Sequence, residues 1–102
     1  PPQASSLDDF DSLLRHLSEL HPAKYGKLLA GVGRVGITGS HVLTDQFDAL
    51  RLVALVDRAY ESQILIRAEG LPLTEIFPDK FLNGGYRKKY LRAISRLGAL
   101  VG

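Results

Sequence analysis

The chain has 102 residues, 45% of them hydrophobic, with no cysteine, no methionine and a formal net charge of +2. That length fits one domain with one core over residues 1–102. The absence of cysteine excludes disulfides, a thiolate nucleophile and a cysteine-containing zinc site. No apolar run reaches the length of a spanning helix and no signal-peptide layout opens the chain, so a cytoplasmic protein without a transmembrane segment is the expectation. The chain begins Pro1-Pro2 and lacks methionine, which is expected of a processed product or of a piece of a longer polypeptide.

In chain order, Pro1 to Ser5 read as a flexible lead-in. Ser6 is suited to cap a first helix, with Asp9 three residues on and Asp8 also near the positive helix end. Leu7, Phe10, Leu13, Leu14, Leu17 and Leu20 recur at helical spacing through about His21, where Pro22 intervenes. Ala23 to Ala30 predict a shorter helix stopped by Gly31 and Gly33. Val35, Ile37 and Thr38 predict a short strand between Gly36 and Gly39.

Thr44 is then placed to cap a long helix whose apolar side is Phe47, Leu50, Val53, Leu55, Val56 and Tyr60. Asp48, Arg51, Asp57, Arg58 and Glu61 fall on its expected exposed side. Gln63 to Arg67 predict a buried strand, closed by Gly70. Strand, helix, strand with short joints is a βαβ unit, so the expected fold is α/β: a short parallel βαβ unit flanked by helices, with a right-handed crossover. Parallel sheets seldom stop at two strands or leave a face bare, which points to the edge of a larger sheet. Leu73 to Phe77 predict a helical turn, Asn83-Gly84-Gly85 a turn, and Tyr86 to Leu100 a last helix.

Charge is unevenly spread. From residue 80 onward there are six Lys/Arg (Lys80, Arg87, Lys88, Lys89, Arg92, Arg96) and no acid, giving +6 there against −4 for residues 1–79. Lys88, Arg92 and Arg96 follow one another at four-residue steps, so they form a row on one helix face. Such a row can clamp phosphates, be solvated, or pair with carboxylates elsewhere in the fold. With Tyr86 and Tyr90 available for stacking on bases, the basic patch also suits a small nucleic-acid-binding module.

Gly31-Val32-Gly33-Arg34-Val35-Gly36 matches G-x-G-x-x-G, but the dinucleotide fingerprint needs a strand before it and a helix after it. Here the order is reversed and the segment reads as a helix stop. His16, His21 and His41 lack metal-ligand spacing, and Ser40-His41 lacks a nucleophile elbow, so neither a metal site nor a catalytic residue is expected.

Ala49-Leu50-Arg51-Leu52-Val53-Ala54-Leu55-Val56-Asp57-Arg58-Ala59-Tyr60-Glu61 resembles the A-R-R-F-I-x-L-I-D-x-L-Y-D helix near the end of ZapE-type P-loop ATPases, an AAA+-like family with bacterial cell-division and mitochondrial members. The strand at Gln63 to Ala68 follows in the same order. Tyr90-Leu91-Arg92-Ala93-Ile94-Ser95-Arg96-Leu97 resembles the terminal F-x-R-T-x-S-R-L, with Tyr for Phe and Ala for Thr. Phe10 to Tyr25 is similar to the preceding helix pair, and Gly84 to Tyr90 is similar to actinobacterial members. The resemblance covers nearly the whole chain and implies the C-terminal part of a larger P-loop NTPase sheet.

The chain has no G-x-x-x-x-G-K-[S/T], because Gly26-Lys27 runs into Leu28. No cofactor is therefore expected in this chain, while ATP and Mg²⁺ are expected for a full-length member. By the resemblance, Arg92 and Arg96 are candidates for sensing phosphate charge or for contacts between subunits. Arg51, Asp57, Tyr90 and Ser95 are structural or interface candidates. The implied partners are the upstream P-loop core of the same chain, further copies and a client protein; cell division and protein quality control both fit such a family. On this reading the isolated chain is inactive.

Overall fold

The computed structural model describes residues 4–101. Three strands, β1 (Ala4–Asp9), β2 (Val32–Ser40) and β3 (Leu65–Gly70), form one parallel sheet in the order β1-β2-β3. Between the strands lie α1 (Phe10–Glu19), the short α2 (Tyr25–Leu28) and α3 (Gln46–Glu61). After β3 come α4 (Asp79–Leu82) and α5 (Arg87–Leu100). The predicted α/β class and parallel βαβ unit are present, with a third parallel strand added.

That third strand replaces the predicted lead-in: Ser5 lies in β1, and residues 1–3 fall outside the described residues. Ser-Ser-Leu-Asp-Asp has no run of β-branched residues; pairing with Arg34 to Thr38 of β2 holds it extended. Ser6 consequently sits inside a strand and cannot cap. Asp9 caps α1 instead, its Oδ2 accepting from the Ser12 amide at 3.1 Å. Asp45 in turn replaces Thr44 as the cap of α3, its Oδ1 accepting from the amides of Phe47 and Asp48. The second predicted helix is split into a 3₁₀ turn, Pro22–Lys24, and the single turn of α2. Tyr25, fully buried, donates its hydroxyl to the Leu17 carbonyl at 2.8 Å, a second and shorter bond to an acceptor that the Leu20 amide reaches at 3.5 Å at the end of α1.

Right-handed crossovers in a sheet of consecutive strands place α1 and α3 on the same side, and the two helices are in contact. That side holds the core, with Val35, Ile37 and Ile66 from the sheet against Phe10, Leu17, Leu52, Val56 and Leu97. Among the described residues no helix covers the other side. On it the outward-pointing residues of the pleat are Leu7, Arg34, Gly36, Thr38, Leu65 and Arg67, and Leu7 is 74% exposed. The outer edge of β3 is partly covered by the chain end, through a parallel bridge of Val101 to Ile66. No described element pairs with the outer edge of β1.

Two joints are built with care. α3 ends in a Schellman turn: the Ile64 amide reaches the Ala59 carbonyl at 2.9 Å and the Gln63 amide reaches that of Tyr60 at 3.1 Å. Gln63 there takes φ 53°, a position usually given to Gly. Gly70, at φ 126°, lies so close to Ser40 that an added Cβ would stand 2.9 Å from its backbone N and O. Ser40, buried, donates its hydroxyl to the Leu71 carbonyl at 2.6 Å and fixes the same corner.

Candidate functional site

The basic C-terminal helix meets α3 through one carboxylate. Arg96 Nη1 donates to Asp57 Oδ1 at 2.6 Å, and Arg92 Nη2 lies 3.6 Å from Asp57 Oδ2. The Arg96 guanidinium also sits 4.8 Å from the centroid of the Tyr60 ring, a cation–π arrangement. Asp57 thus lies toward α5 and is largely covered, not on the exposed side where helical periodicity alone placed it. The four-residue step between Arg92 and Arg96 lets both guanidiniums reach it. Arg96 is the better buried, at 29% side-chain exposure, whereas Arg92 is 51% exposed and more weakly held.

Arg51, half-buried, turns back to Asp48 at 3.4 Å within α3. Ser95 is exposed on α5. Tyr90 is fully buried, its ring 5.1 Å from that of Phe77 and 5.6 Å from that of Phe81. It therefore cannot stack on bases. Among the described residues its hydroxyl has no hydrogen-bond partner of good geometry, although the Gln46 side chain favours the ionised phenol. Burial raises the Tyr90 phenol above its ordinary value. The unsatisfied oxygen suits a site whose resemblance pattern carries Phe.

The remaining cations are spread out. Lys80, on α4, lies 5.5 Å from the Phe81 ring centroid. Arg87, Lys88 and Lys89 are exposed in the first turn of α5, where no side chain caps the helix and no acid offsets its positive end. Asp57 engages Arg92 and Arg96, so the predicted row is divided between a paired half and a solvent-facing Lys88.

The glycine motif cannot cradle a nucleotide. Gly31, at φ 75°, ends the α2 region, and Gly33 and Gly36 lie within β2, so no helix N-terminus faces them. Neither these residues nor any others of the chain fit a Walker-type phosphate loop. Among the described residues no group of three or more His, Asp or Glu is arranged to hold a metal.

One polar pair was not foreseen from the sequence. His41 Nε2 lies 2.6 Å from Asp11 Oδ1 and Nδ1 lies 2.9 Å from the Val42 carbonyl, with Phe10 edge-on at 5.0 Å. Both neighbours are acceptors, so the arrangement favours the doubly protonated ring. The hydrogen bond to Asp11 raises the His41 pKa, aided by the Val42 carbonyl. The two residues are 30 positions apart, beyond the reach of any local pattern.

These features define an α/β segment whose basic terminal helix is tied to the preceding βαβ unit through Asp57. The family model described as AFG1-like ATPase matches residues 2–102, and the chain belongs to that family. No curated protein and no solved structure matches it. Among the described residues no helix is long and apolar enough to cross a membrane.

Proposed function

We propose that this chain is the C-terminal α/β segment of an AFG1-like ATPase, hydrolytically silent alone and active as part of the full protein. The observation that carries this reading is a three-stranded parallel sheet with one bare face, in a chain that belongs to an ATPase family and has no phosphate loop. Parallel sheets bury both faces because their crossover helices and neighbours cover them. The bare face around Leu7 and Gly36, with the unpaired edge of β1, is the surface on which the upstream P-loop core packs.

In this arrangement Asp57 orients the end of α5. Arg96 is the structural member of the pair, held on Asp57 and Tyr60. Arg92, half-exposed and loosely held, is the cation free to meet a nucleotide phosphate or a neighbouring subunit. The test is ATP turnover by the full-length protein carrying Arg92→Ala, beside the wild type and this chain alone. The expected result is no turnover by the chain alone and at least a tenfold loss for Arg92→Ala (about 1.4 kcal/mol) with folding intact. Turnover by the chain alone would overturn the assignment, and an unchanged rate in Arg92→Ala would remove that residue from the mechanism.

A further inference from the structure

The core is not fully packed. Between the covered face of the sheet and helices α1, α3 and α5 lies a cavity of about 260 Å³. Its wall is aliphatic, with Leu13, Val35, Leu55, Ala59 and Ile66 among the side chains that form it. An engineered cavity of ~150 Å³ with a similar lining stays dry and admits benzene, so this one is large enough for a longer apolar molecule.

The polar lining is confined to three residues: Ser6 and Asp8 on β1 and His16 on α1. Asp8 and His16 are exposed, which places the polar end of the cavity at solvent. Among the described residues Asp8 forms no ion pair; the carboxylates that do are Asp11, Asp48, Asp57 and Glu61. An apolar pocket with a few polar groups at one end is the usual form of a small-molecule site. We infer that this cavity binds a small aliphatic molecule carrying a cationic head group, the chain lying among the core side chains and the head meeting Asp8. This site lies apart from the Asp57–Arg92–Arg96 cluster, and it rests on the proposed packing in one respect: its mouth at Asp8 and His16 stays open beside the core that packs on the β1 edge.

The experiment is titration of the full-length protein with hexylamine, hexanol and hexanoate, followed by calorimetry and by thermal unfolding. Hexylamine should bind best and raise Tm, with hexanoate at least about tenfold weaker because Asp8 repels it. Asp8→Asn, a change at an exposed position, should bring hexylamine down to the level of hexanol while leaving hexanol unaffected. Ala59→Leu, which fills the cavity, should abolish binding of all three while the protein stays folded by circular dichroism. Absence of binding up to millimolar concentrations would overturn the site, as would equal binding of the three head groups. Undiminished binding by folded Ala59→Leu would place the ligand elsewhere and overturn it too.

Discussion

On one side of the sheet, α1, α3 and α5 bury the apolar residues of β2 and β3, with α3 and α5 joined by the Asp57–Arg96 pair; on the other, Leu7 stands 74% exposed beside Arg34, Gly36 and Arg67. Both sides belong to the same three strands and alternate along the same pleat. The helical side therefore carries the stability of the segment, while the bare side adds little to it and is left available for packing. The contrast separates a surface finished within the segment from one that, on the proposed reading, the rest of the ATPase completes.

Substitutions that strike the finished side should be costly. Gly70→Ala has the largest expected effect, because its φ of 126° is unsuited to a side chain and the added Cβ would meet the Ser40 backbone at 2.9 Å. A loss of roughly 2–4 kcal/mol in urea unfolding is expected. Asp57→Asn comes next: it leaves Arg96 without its ionic partner at a partly covered site, for about 1.5 kcal/mol, most of it from Arg96 and little from the exposed Arg92. If Asp57→Asn were silent in the same unfolding assay, the tie between α3 and α5 would be ornamental.

Tyr90→Phe sharpens the comparison from the opposite direction. Removing a buried hydroxyl that has no partner should raise stability by about 1 kcal/mol, read as a higher Tm. A loss on this substitution would mean that Gln46 does satisfy the oxygen. The smallest effect belongs to His41. Its pKa is raised in the folded state, so its contribution is fully present below about pH 6.5 and is lost as pH rises through the raised value. His41→Gln should therefore lower stability slightly at pH 5.5 and leave it unchanged at pH 9. Asp11 faces the ring directly and Asp9 lies near it, so Asp11→Asn should show the same pH dependence.

Much of the helical side was legible in the sequence. The spacing of Val53, Leu55 and Val56 reads as helix, and these residues are buried, whereas Tyr90, offered by the sequence for stacking on bases, is buried in the same helical side. Periodicity assigned Phe47 to the same face, yet it is 69% exposed, because it lies in the first turn of α3 where little packs against it. β1 was illegible for a physical reason: its residues have weak strand preference, and only the ladder to β2 makes them a strand. Caps were displaced by one and three residues, since Ser6, Asp9, Thr44 and Asp45 all offer a suitable oxygen and backbone geometry chooses among them. The Asp57–Arg96 contact joins residues 39 apart, and the cavity is a property of packing, so neither has a local pattern to betray it.

The most direct test of the central claim is hydrogen exchange at the β1 amides, compared between this chain alone and the full-length ATPase. Packing of the upstream core on the bare face and on the edge of β1 predicts exchange slowed by at least about tenfold in the full protein across residues 4–9. Equal exchange in the two would show that this surface stays open, and would contradict the proposal that the segment completes the ATPase through it.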